Sequence, residues 1–382
     1  MNCIDVIFFQ TELASSKLAL ITQGSVIPYG RLARGILSAQ QRLAAIGLSA
    51  GQTVGLHVAH PIDHMVLACA LYRMKVASAS ITHAADAYLD HVPFDMVLSD
   101  AILPTLAVKQ PAAKIILVDP TWFQDQVDYT VAQRGAARRG ASDWVSRITC
   151  YPDVSTTPSI VKTTSRALEA QLLSYMLSAP PNWERMISVA GVQTDSGFIQ
   201  ALSALWLGRS ICFSDMAQAR NLISIYKHDY LVATAEEVEP LLKAQETRFV
   251  ALPALRAACF EGRASRTPTL KRGLAVVSAN LSFRYSHPQI GLIAYGAANR
   301  FQSEEGAVGF VAPWVEAQIV DDQAAPLGPE RTGTLRVRLR NGGLSVGAPK
   351  EQDSDAHWIY PQQQAKITSD NLLVLNAREI NP

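Results

Sequence analysis

Segments with the period of a strand alternate with segments with the period of a helix through the first 120 residues. The helical period is clearest where apolar residues recur at i, i+4, i+7, i+11 and i+14. These residues are Leu32, Ile36, Ala39, Leu43 and Ile46. Gly47 then predicts the helix end, and Thr53–Val58 alternates as a strand does. Such alternation predicts a parallel sheet covered by helices.

The same alternation continues beyond the first third of the chain. Pro61 opens a second helix, and Met65–Met74 is apolar on nearly every side, which is typical of a buried helix. Helices are also predicted at Ser165–Ser178, with Leu168, Leu172, Leu173 and Met176 on one face, and at Phe198–Leu207 after a Gly191–Gly197 turn. Strands are predicted at Ser16–Ile21, Ser78–Ile81, Val97–Ser99, Ile115–Val118, Met186–Ala190 and Ser210–Phe213.

Beyond residue 300 the pattern changes to strands separated by turn residues. In Gly306–Val337 the apolar alternation is interrupted by Asp321-Asp322, by Pro326 and by glycines, which are typical of hairpin turns. An antiparallel β-meander is therefore expected there. The fold class predicted is α/β, with two parallel-type sheet subdomains flanked by helices at 1–150 and 151–300 and a small antiparallel subdomain at 301–382.

Composition narrows the classes of function. Of the 382 residues, 48% are hydrophobic and 18% are charged, as in soluble globular proteins. A net charge of +1 provides no field that favours nucleic acid or an anionic membrane, so neither is an expected partner. Five scattered cysteines without C-x-x-C spacing predict buried small residues in a reducing compartment. With no leader pattern or membrane-length apolar run in this sequence, a cytoplasmic protein is expected.

A polar, hydroxyl-rich stretch, Tyr151–Leu168, lies between the two α/β regions. Three hydroxyl residues stand in a row in it, Ser155, Thr156 and Thr157. Together with Pro158 and the helix start Ser165-Arg166-Ala167-Leu168, this order resembles the phosphate loop of the adenylate-forming enzymes. That superfamily contains the acyl-CoA synthetases, the adenylation domains of peptide synthetases and the luciferases. The resemblance implies the large-domain fold of these enzymes.

The chemistry of that loop is largely replaced here. In the family, glycines let backbone N–H groups close around phosphate and a lysine adds positive charge. In this sequence Asp153 and Thr156 stand at the glycine positions, and Ser159 stands at the lysine position. We therefore expect a surface loop at Tyr151–Ser159, between a strand and the helix near Ser165, that binds phosphate poorly.

Other stretches follow the family in the same order along nearly the whole chain. Tyr29–Leu32, Leu43–Leu48 and Gly51–Leu56 look like the family opening, and Gly306–Val337 looks like its β-meander. Near the end, Leu372–Arg378 looks like the segment before the family hinge. The chain ends at Pro382, so the resemblance implies that the mobile, lysine-bearing C-terminal domain is absent.

The resemblance also implies a degenerate nucleotide site. Its residues are Ser155, Thr156, Thr157, Tyr285, Gln289, Gln363 and Arg378. Tyr285 keeps the aromatic ring near adenine, Gln289 replaces the magnesium-binding glutamate, and Gln363 replaces the ribose-binding aspartate. Gln289 is a weaker magnesium ligand because its side chain is neutral. His287 beside it invites a catalytic role, but a loop histidine is favoured, and no catalytic residue or metal site is assigned.

An acyl pocket is implied at three further positions. Thr194 stands where the family has a histidine or aromatic residue, and Asp195 lies beside it. For Asp195 a turn-capping role is favoured over a functional carboxylate. Gly262 stands at one of a pair of family glycines, and Glu261 replaces the other. The bulk of the Glu261 side chain is expected to crowd the slot for adenine and acyl groups.

Three functions stay open from the sequence. The first is a degenerate, catalytically impaired adenylation-like protein that binds an acyl or carboxylate ligand, a nucleotide or a partner. The second is an active AMP-forming acid–thiol ligase, using ATP and Mg²⁺, with altered residues or a C-terminal domain supplied by another chain. The third is a non-catalytic scaffold. The protein partner expected is an acyl carrier protein, an acyl-CoA enzyme or a second adenylation subunit.

Overall fold

A computed structural model describes residues 3–82, 89–102, 108–124, 143–151, 159–244, 255–262, 266–340 and 358–376. These residues form two compact units. The first contains the described residues up to Leu172 together with Gly191–Phe213, and the second contains Leu173–Ala190 and the described residues from Ser214 onward. The three-part division expected from the sequence stays a prediction.

The larger sheet of the first unit has the strand order β6-β5-β3-β4-β7-β8. Its strands are β3 Thr53–His57, β4 Ala77–Ser80, β5 Met96–Ser99, β6 Lys114–Leu117, β7 Val145–Tyr151 and β8 Ser159–Thr164. Neighbouring strands run parallel except β7 and β8, which are antiparallel. The parallel sheet expected from the strand–helix alternation is thereby confirmed.

A smaller set of strands, four α-helices and the start of the helix Ser165–Ser178 make up the rest of the described part of the first unit. β1 (Leu18–Ile21) pairs antiparallel with β2 (Val26–Pro28) and parallel with β10 (Ser210–Phe213). The helices are Asp5–Ala14, Tyr29–Ala45, Pro61–Arg73 and Asp195–Trp206, with a 3₁₀ turn at Pro120–Phe123. The Asp5–Ala14 helix was not predicted. Its buried stripe, Ile4, Ile7, Phe8 and Thr11, is hidden in the sequence because Thr11 is polar and the apolar residues Phe9 and Leu13 lie on the exposed side.

The predicted apolar faces of the early helices are buried. Leu32, Ile36, Ala39 and Leu43 are all shielded from solvent, and Gly47 ends that helix with φ of +90°, a value that glycine adopts without strain. From Met65 to Tyr72 every residue of the next helix is buried, as its uniformly apolar sequence predicted.

The second unit has four parallel strands followed by an antiparallel set. The parallel strands are β9 Arg185–Ser188, β11 Tyr230–Thr234, β12 Ala257–Glu261 and β13 Leu281–His287. The antiparallel strands are β14 Gly291–Ala297, β15 Ala307–Val311, β16 Val315–Val320, β17 Gly333–Leu339, β18 Gln364–Ile367 and β19 Leu372–Leu375. The β-meander expected over Gly306–Val337 is present. Helices lie at Met216–Tyr226, Ala235–Ala244 and Thr267–Val276, with a 3₁₀ turn at Ala298–Arg300.

The Ser165–Ser178 helix has the predicted bounds but not the predicted apolar face. Leu168 and Leu172 are buried, whereas Leu173 is 49% exposed. The buried stripe instead continues to Tyr175, at i, i+4 and i+7 from Leu168, so that Leu173 falls on the solvent side. The face assigned to Leu173 from the sequence was therefore wrong.

The cysteines match the expectation of buried thiols at four of five positions. Cys3, Cys69, Cys212 and Cys259 are buried, Cys150 is half-buried, and all five are free. Burial raises the pKa of the Cys3 and Cys212 thiols to about 12, which keeps them protonated and unreactive. Within the described ranges, no helix combines the length and the apolar character that crossing a lipid bilayer requires.

Candidate functional site

The predicted phosphate loop connects two antiparallel strands. Ser155, Thr156 and Thr157 lie outside the described residues, but their flanks are defined: Tyr151 at the end of β7 pairs with Ser159 at the start of β8. The expectation that the loop leads directly into the helix at Ser165 was wrong, since β8 intervenes. The sequence missed β8 because the two apolar residues of Ser159–Thr164, Ile160 and Val161, are adjacent and do not alternate with polar residues.

The predicted acyl-pocket residues Thr194 and Asp195 lie at the start of the Asp195–Trp206 helix. Thr194 is its N-cap: the Thr194 hydroxyl accepts from the Gly197 N–H at 3.0 Å and donates to the Gly191 carbonyl at 2.8 Å. The capping role favoured for Asp195 was therefore wrong. Threonine in the preceding position already satisfies one free N–H group of the first turn, that of Gly197, and the Asp195 carboxylate makes other contacts.

The Asp195 carboxylate binds a buried cation, Arg147, on β7. Arg147 Nε donates to Asp195 Oδ1 at 3.2 Å, and Arg147 Nη2 donates to the Ser80 hydroxyl at 3.0 Å and to the Gln193 carbonyl at 3.1 Å. The guanidinium carbon lies 4.2 Å from the centre of the Phe198 ring, within cation–π range. One arginine thus holds the end of β4, the turn before the helix and the helix start in fixed positions.

A buried histidine extends this polar network. His64 Nδ1 contacts the Val58 carbonyl at 3.2 Å, and Nε2 contacts the Ser80 hydroxyl at 3.0 Å. A carbonyl only accepts, so Nδ1 carries the proton, and Ser80 donates to Nε2 while accepting from Arg147. Burial, and to a smaller extent Arg147, lowers the His64 pKa from its usual 6.5 to about 3. His64 is therefore neutral near pH 7 and a weak base.

In the second unit, Gly262 follows the carboxyl end of β12, and its N–H donates to the Arg284 carbonyl at 3.2 Å. Glu261 and Arg284 are direct neighbours on β12 and β13, and Arg284 Nη1 lies 3.3 Å from Glu261 Oε1. Both side chains are buried. The Arg284 guanidinium also lies against Tyr175, with the guanidinium carbon 5.3 Å from the centre of the Tyr175 ring. A buried ion pair between Glu261 and Arg284 therefore lies next to Gly262.

The residues expected near adenine and magnesium lie on and after β13. Tyr285 is 2% exposed, and it pairs with Ala294 on β14. Gln289 is half-buried in the turn between β13 and β14, where its N–H donates to His287 Nδ1 at 3.3 Å. This contact gives His287 a turn-stabilising role, in line with the interpretation favoured from the sequence. The roles of Tyr285 and Gln289 in nucleotide binding stay predictions.

The remaining nucleotide-site candidates lie near the end of the chain. Gln363 is nearly buried, and its carbonyl accepts from the Leu335 N–H at 2.9 Å. Arg378 lies outside the described residues. Among the residues that the structure describes, no group of three or more His, Cys, Asp or Glu side chains could hold a metal ion.

Sequence reasoning missed Arg147, Ser80 and His64. The available signal was an arginine between Val145 and Ile148, because a charged residue at a buried strand position requires a partner. The partner itself was not predictable, since Asp195 is 48 residues away in sequence.

Comparisons with known proteins identify the fold. No family model matches the sequence, and no curated protein matches it. The O-succinylbenzoate coenzyme A synthetase MenE from Bacillus subtilis superposes with a TM-score of 0.81 at 13% identity, over 98% of this chain and 78% of that chain. MatB from Rhodopseudomonas palustris, solved with ATP, superposes with a TM-score of 0.79 at 18% identity, over 98% of this chain and 78% of that chain. The luciferase-like enzyme of the mealworm Zophobas morio superposes with a TM-score of 0.81 at 13% identity, over 98% of this chain and 95% of that chain.

These three proteins are adenylate-forming enzymes, so the chain has the mixed α/β fold of the large domain of that superfamily. The fold expected from the collinear motifs is thereby confirmed. The MenE synthetase has also been solved with AMP, and with ATP and a magnesium ion.

Proposed function

We propose that this chain is a degenerate adenylate-forming protein. It binds an acyl or carboxylate ligand, a nucleotide or a protein partner in an acyl-activating or biosynthetic pathway, and it forms acyl-adenylates poorly. The observation that carries the proposal is Gln289: a neutral amide stands in the turn after β13, where the resemblance places the carboxylate that holds magnesium.

The physical argument concerns charge. Adenylyl transfer depends on positioning and on neutralising the phosphate oxygens, and removing one electrostatic contact costs about 2.7–4 kcal/mol of transition-state stabilisation. At the resembling positions, Ser159 replaces a lysine, Gln289 replaces a glutamate and Gln363 replaces an aspartate. These replacements remove charged groups that would stabilise the transition state, whereas the buried core that supports the fold is retained.

The cofactors of the proposed site are ATP or AMP, with Mg²⁺ if adenylation occurs. This assignment is supported by the fold shared with a synthetase solved with ATP and magnesium. The expected partner is an acyl carrier protein, an acyl-CoA enzyme or a second adenylation subunit, because these supply or accept the acyl groups that this fold handles.

Two measurements on the purified chain test the proposal. Calorimetric titration with ATP, AMP and an acyl-sulfamoyl adenylate mimic measures binding, and pyrophosphate exchange with a broad panel of carboxylates measures adenylation. Binding without exchange is the expected result. Robust exchange would contradict the proposal and favour the active ligase, whereas no binding of any of the three compounds would favour the scaffold.

Restoring the family residues sharpens the test. Gln289→Glu is expected to make nucleotide binding magnesium-dependent, because it returns a carboxylate to the turn. Gln323→Glu, on an exposed turn, is the matched control, since it adds the same charge elsewhere. In the phosphate loop, Asp153→Gly, Thr156→Gly and Ser159→Lys together are expected to raise nucleotide affinity. No gain from either set would contradict the assignment of these positions.

A further inference from the structure

The strand β6, Lys114–Leu117, ends the larger sheet of the first unit, and two of its apolar side chains are exposed. Ile115 is 39% exposed and Leu117 is 55% exposed, although every residue of the neighbouring strand β5 is buried. A strand at the edge of a sheet presents unpaired N–H and C=O groups, and an apolar one is a template for pairing with another chain. A further strand can therefore be added to the sheet at β6.

The hydrogen bonds between β6 and β5 show which backbone groups of β6 face outward. The two strands are parallel. The N–H groups of Lys114 and Val118 donate to carbonyls in Asp95–Ser99, the segment that includes β5, at 3.1 and 2.8 Å. Successive residues of a strand turn their N–H and C=O groups to opposite sides. The backbone groups of Ile115 and Leu117 therefore face the open side of β6.

The other strands that end a sheet in the described part of the chain carry features that hinder such pairing. β2 contains Pro28, β8 carries the exposed Lys162, and β16 carries Glu316 and Gln318. Proline and charged side chains are the usual protection of a sheet edge. In β6 the only charged residue is Lys114, at the first position, and the three residues after it are all apolar. The exposed apolar edge is thus a particular feature of β6.

We propose that β6 pairs antiparallel with β6 of a second copy of this chain, so that the two sheets join across a two-fold axis. In the register that uses all the outward-facing groups, Ile116 lies on the axis opposite Ile116 of the second copy. Ile115 then lies opposite Leu117 of the second copy, and each such pair exchanges both of its N–H···O bonds. The inference goes beyond the proposed function and does not depend on it.

A second copy is the occupant that the chemistry of the strand favours. Ile115 and Leu117 lie on one face of β6, so the two-fold arrangement places the exposed apolar side chains of both copies side by side on the same face. The ends of the strand are complementary in charge: Lys114 begins the strand, and the exposed Asp119 follows it. Antiparallel pairing brings the basic start of each strand beside the acidic end of the other, whereas parallel pairing would bring like charges together.

Sedimentation equilibrium of the full chain, from micromolar to submillimolar concentrations, tests the pairing. The contact is small, so a reversible dimer with a dissociation constant in the micromolar range is expected. Leu117→Lys is expected to weaken the dimer roughly tenfold, because it places a charge against Ile115 of the second copy. Leu177→Lys, the same change at a 69% exposed position of the Ser165–Ser178 helix, is the matched control and should leave the dissociation constant unchanged. Urea unfolding at low concentration checks that both variants fold.

A cysteine on the axis tests the register. Ile116→Cys, oxidised with copper phenanthroline, is expected to form a disulfide-linked dimer, because opposite residues at a non-hydrogen-bonded position have Cα atoms about 4.5 Å apart, within disulfide range. The unchanged chain controls for the native thiols, and Ile225→Cys, at a 67% exposed position of the Met216–Tyr226 helix, controls for random collision. A monomer at every concentration, a dimer that Leu117→Lys leaves intact, or linking of Ile116→Cys no faster than that of Ile225→Cys would overturn the inference.

Discussion

Two buried arginines, one in each compact unit, are paired with carboxylates in different settings. Arg284 and Glu261 lie 3.3 Å apart with side-chain exposures of 2% and 8%. Arg147 and Asp195 lie 3.2 Å apart with exposures of 4% and 22%. The first pair is closed to solvent on both sides, whereas the second is open on its acidic side. The difference separates a pair that is shielded from water from one whose carboxylate water can reach.

The backbone explains why the pairs differ. Glu261 and Arg284 are register partners on adjacent parallel strands, so the sheet holds both. Arg147 is likewise fixed by β7, but Asp195 belongs to the first turn of a helix, which is the end of an element that opens most easily. Asp195 can therefore separate from its arginine at lower cost than Glu261.

The largest effect is expected from breaking the closed pair. Glu261→Leu leaves Arg284 buried without its carboxylate, and removing one partner of a buried pair costs about 3–5 kcal/mol. Urea unfolding should show this loss in the free energy of unfolding. Glu261→Leu with Arg284→Met should recover most of it, since two apolar side chains replace the pair. Equal stability of the single variant and the unchanged chain would show that Glu261 contributes nothing to the core.

A buried histidine in each unit gives the next effect, which depends on pH. Burial lowers the His64 pKa from 6.5 to about 3 and the His228 pKa to about 4. The unfolded chain then binds more protons than the folded chain below pH 6.5, so stability falls as pH falls from 6.5 toward these values. Each histidine contributes a slope of at most about 1.4 kcal/mol per pH unit, or about 2 kcal/mol between pH 6.5 and 5.

Replacing these histidines tests the assignment. His64→Gln should make the stability of the chain less dependent on pH between 6.5 and 5, and His228→Gln should do the same by a similar amount. Urea unfolding at pH 7, 6 and 5 measures both. A variant whose pH dependence equals that of the unchanged chain would mean that its histidine is protonated in the folded state as readily as in the unfolded state.

Breaking the open pair is expected to cost less than breaking the closed pair. In Asp195→Ala, water can reach the vacated place through the exposed side of the site, so Arg147 is partly solvated and the loss is about 1–2 kcal/mol, in the range of a charged hydrogen bond. Urea unfolding in chloride measures the loss. A loss as large as that of Glu261→Leu would mean that the two pairs are equally closed, which would contradict the comparison above.

Much of the fold was predictable because the local pattern and the fold agree. The periodic face at Leu32–Leu43, the Pro61 helix start and the turns of Gly306–Val337 each specify their own element. The errors occurred where tertiary contacts decide. Leu173 is exposed although it is apolar, and β8 forms from a polar segment because β7 supplies its hydrogen bonds.

The candidate site was less predictable for the same reason. Thr194 and Asp195 were identified as candidates by resemblance, but their cation was not, because Arg147 meets Asp195 only through the packing of a helix end against a strand. Spacing along the chain contains no information about such a contact. A buried arginine on a strand predicts a partner, and the structure is needed to identify it.

The smallest effect compares two helix caps of the same kind, one in each unit. Thr194 caps the Asp195–Trp206 helix, and Asp215 caps the Met216–Tyr226 helix by accepting from the Gln218 N–H at 2.8 Å. Thr194→Ala and Asp215→Ala should each lower the free energy of unfolding by about 1 kcal/mol, the usual value for a lost cap. Only Thr194 also bonds the turn that precedes the site, through the Gly191 carbonyl. Thr194→Ala should therefore cost slightly more stability than Asp215→Ala, and urea unfolding of both variants measures the difference. An equal loss in the two variants would show that the bond to the Gly191 carbonyl adds no stability.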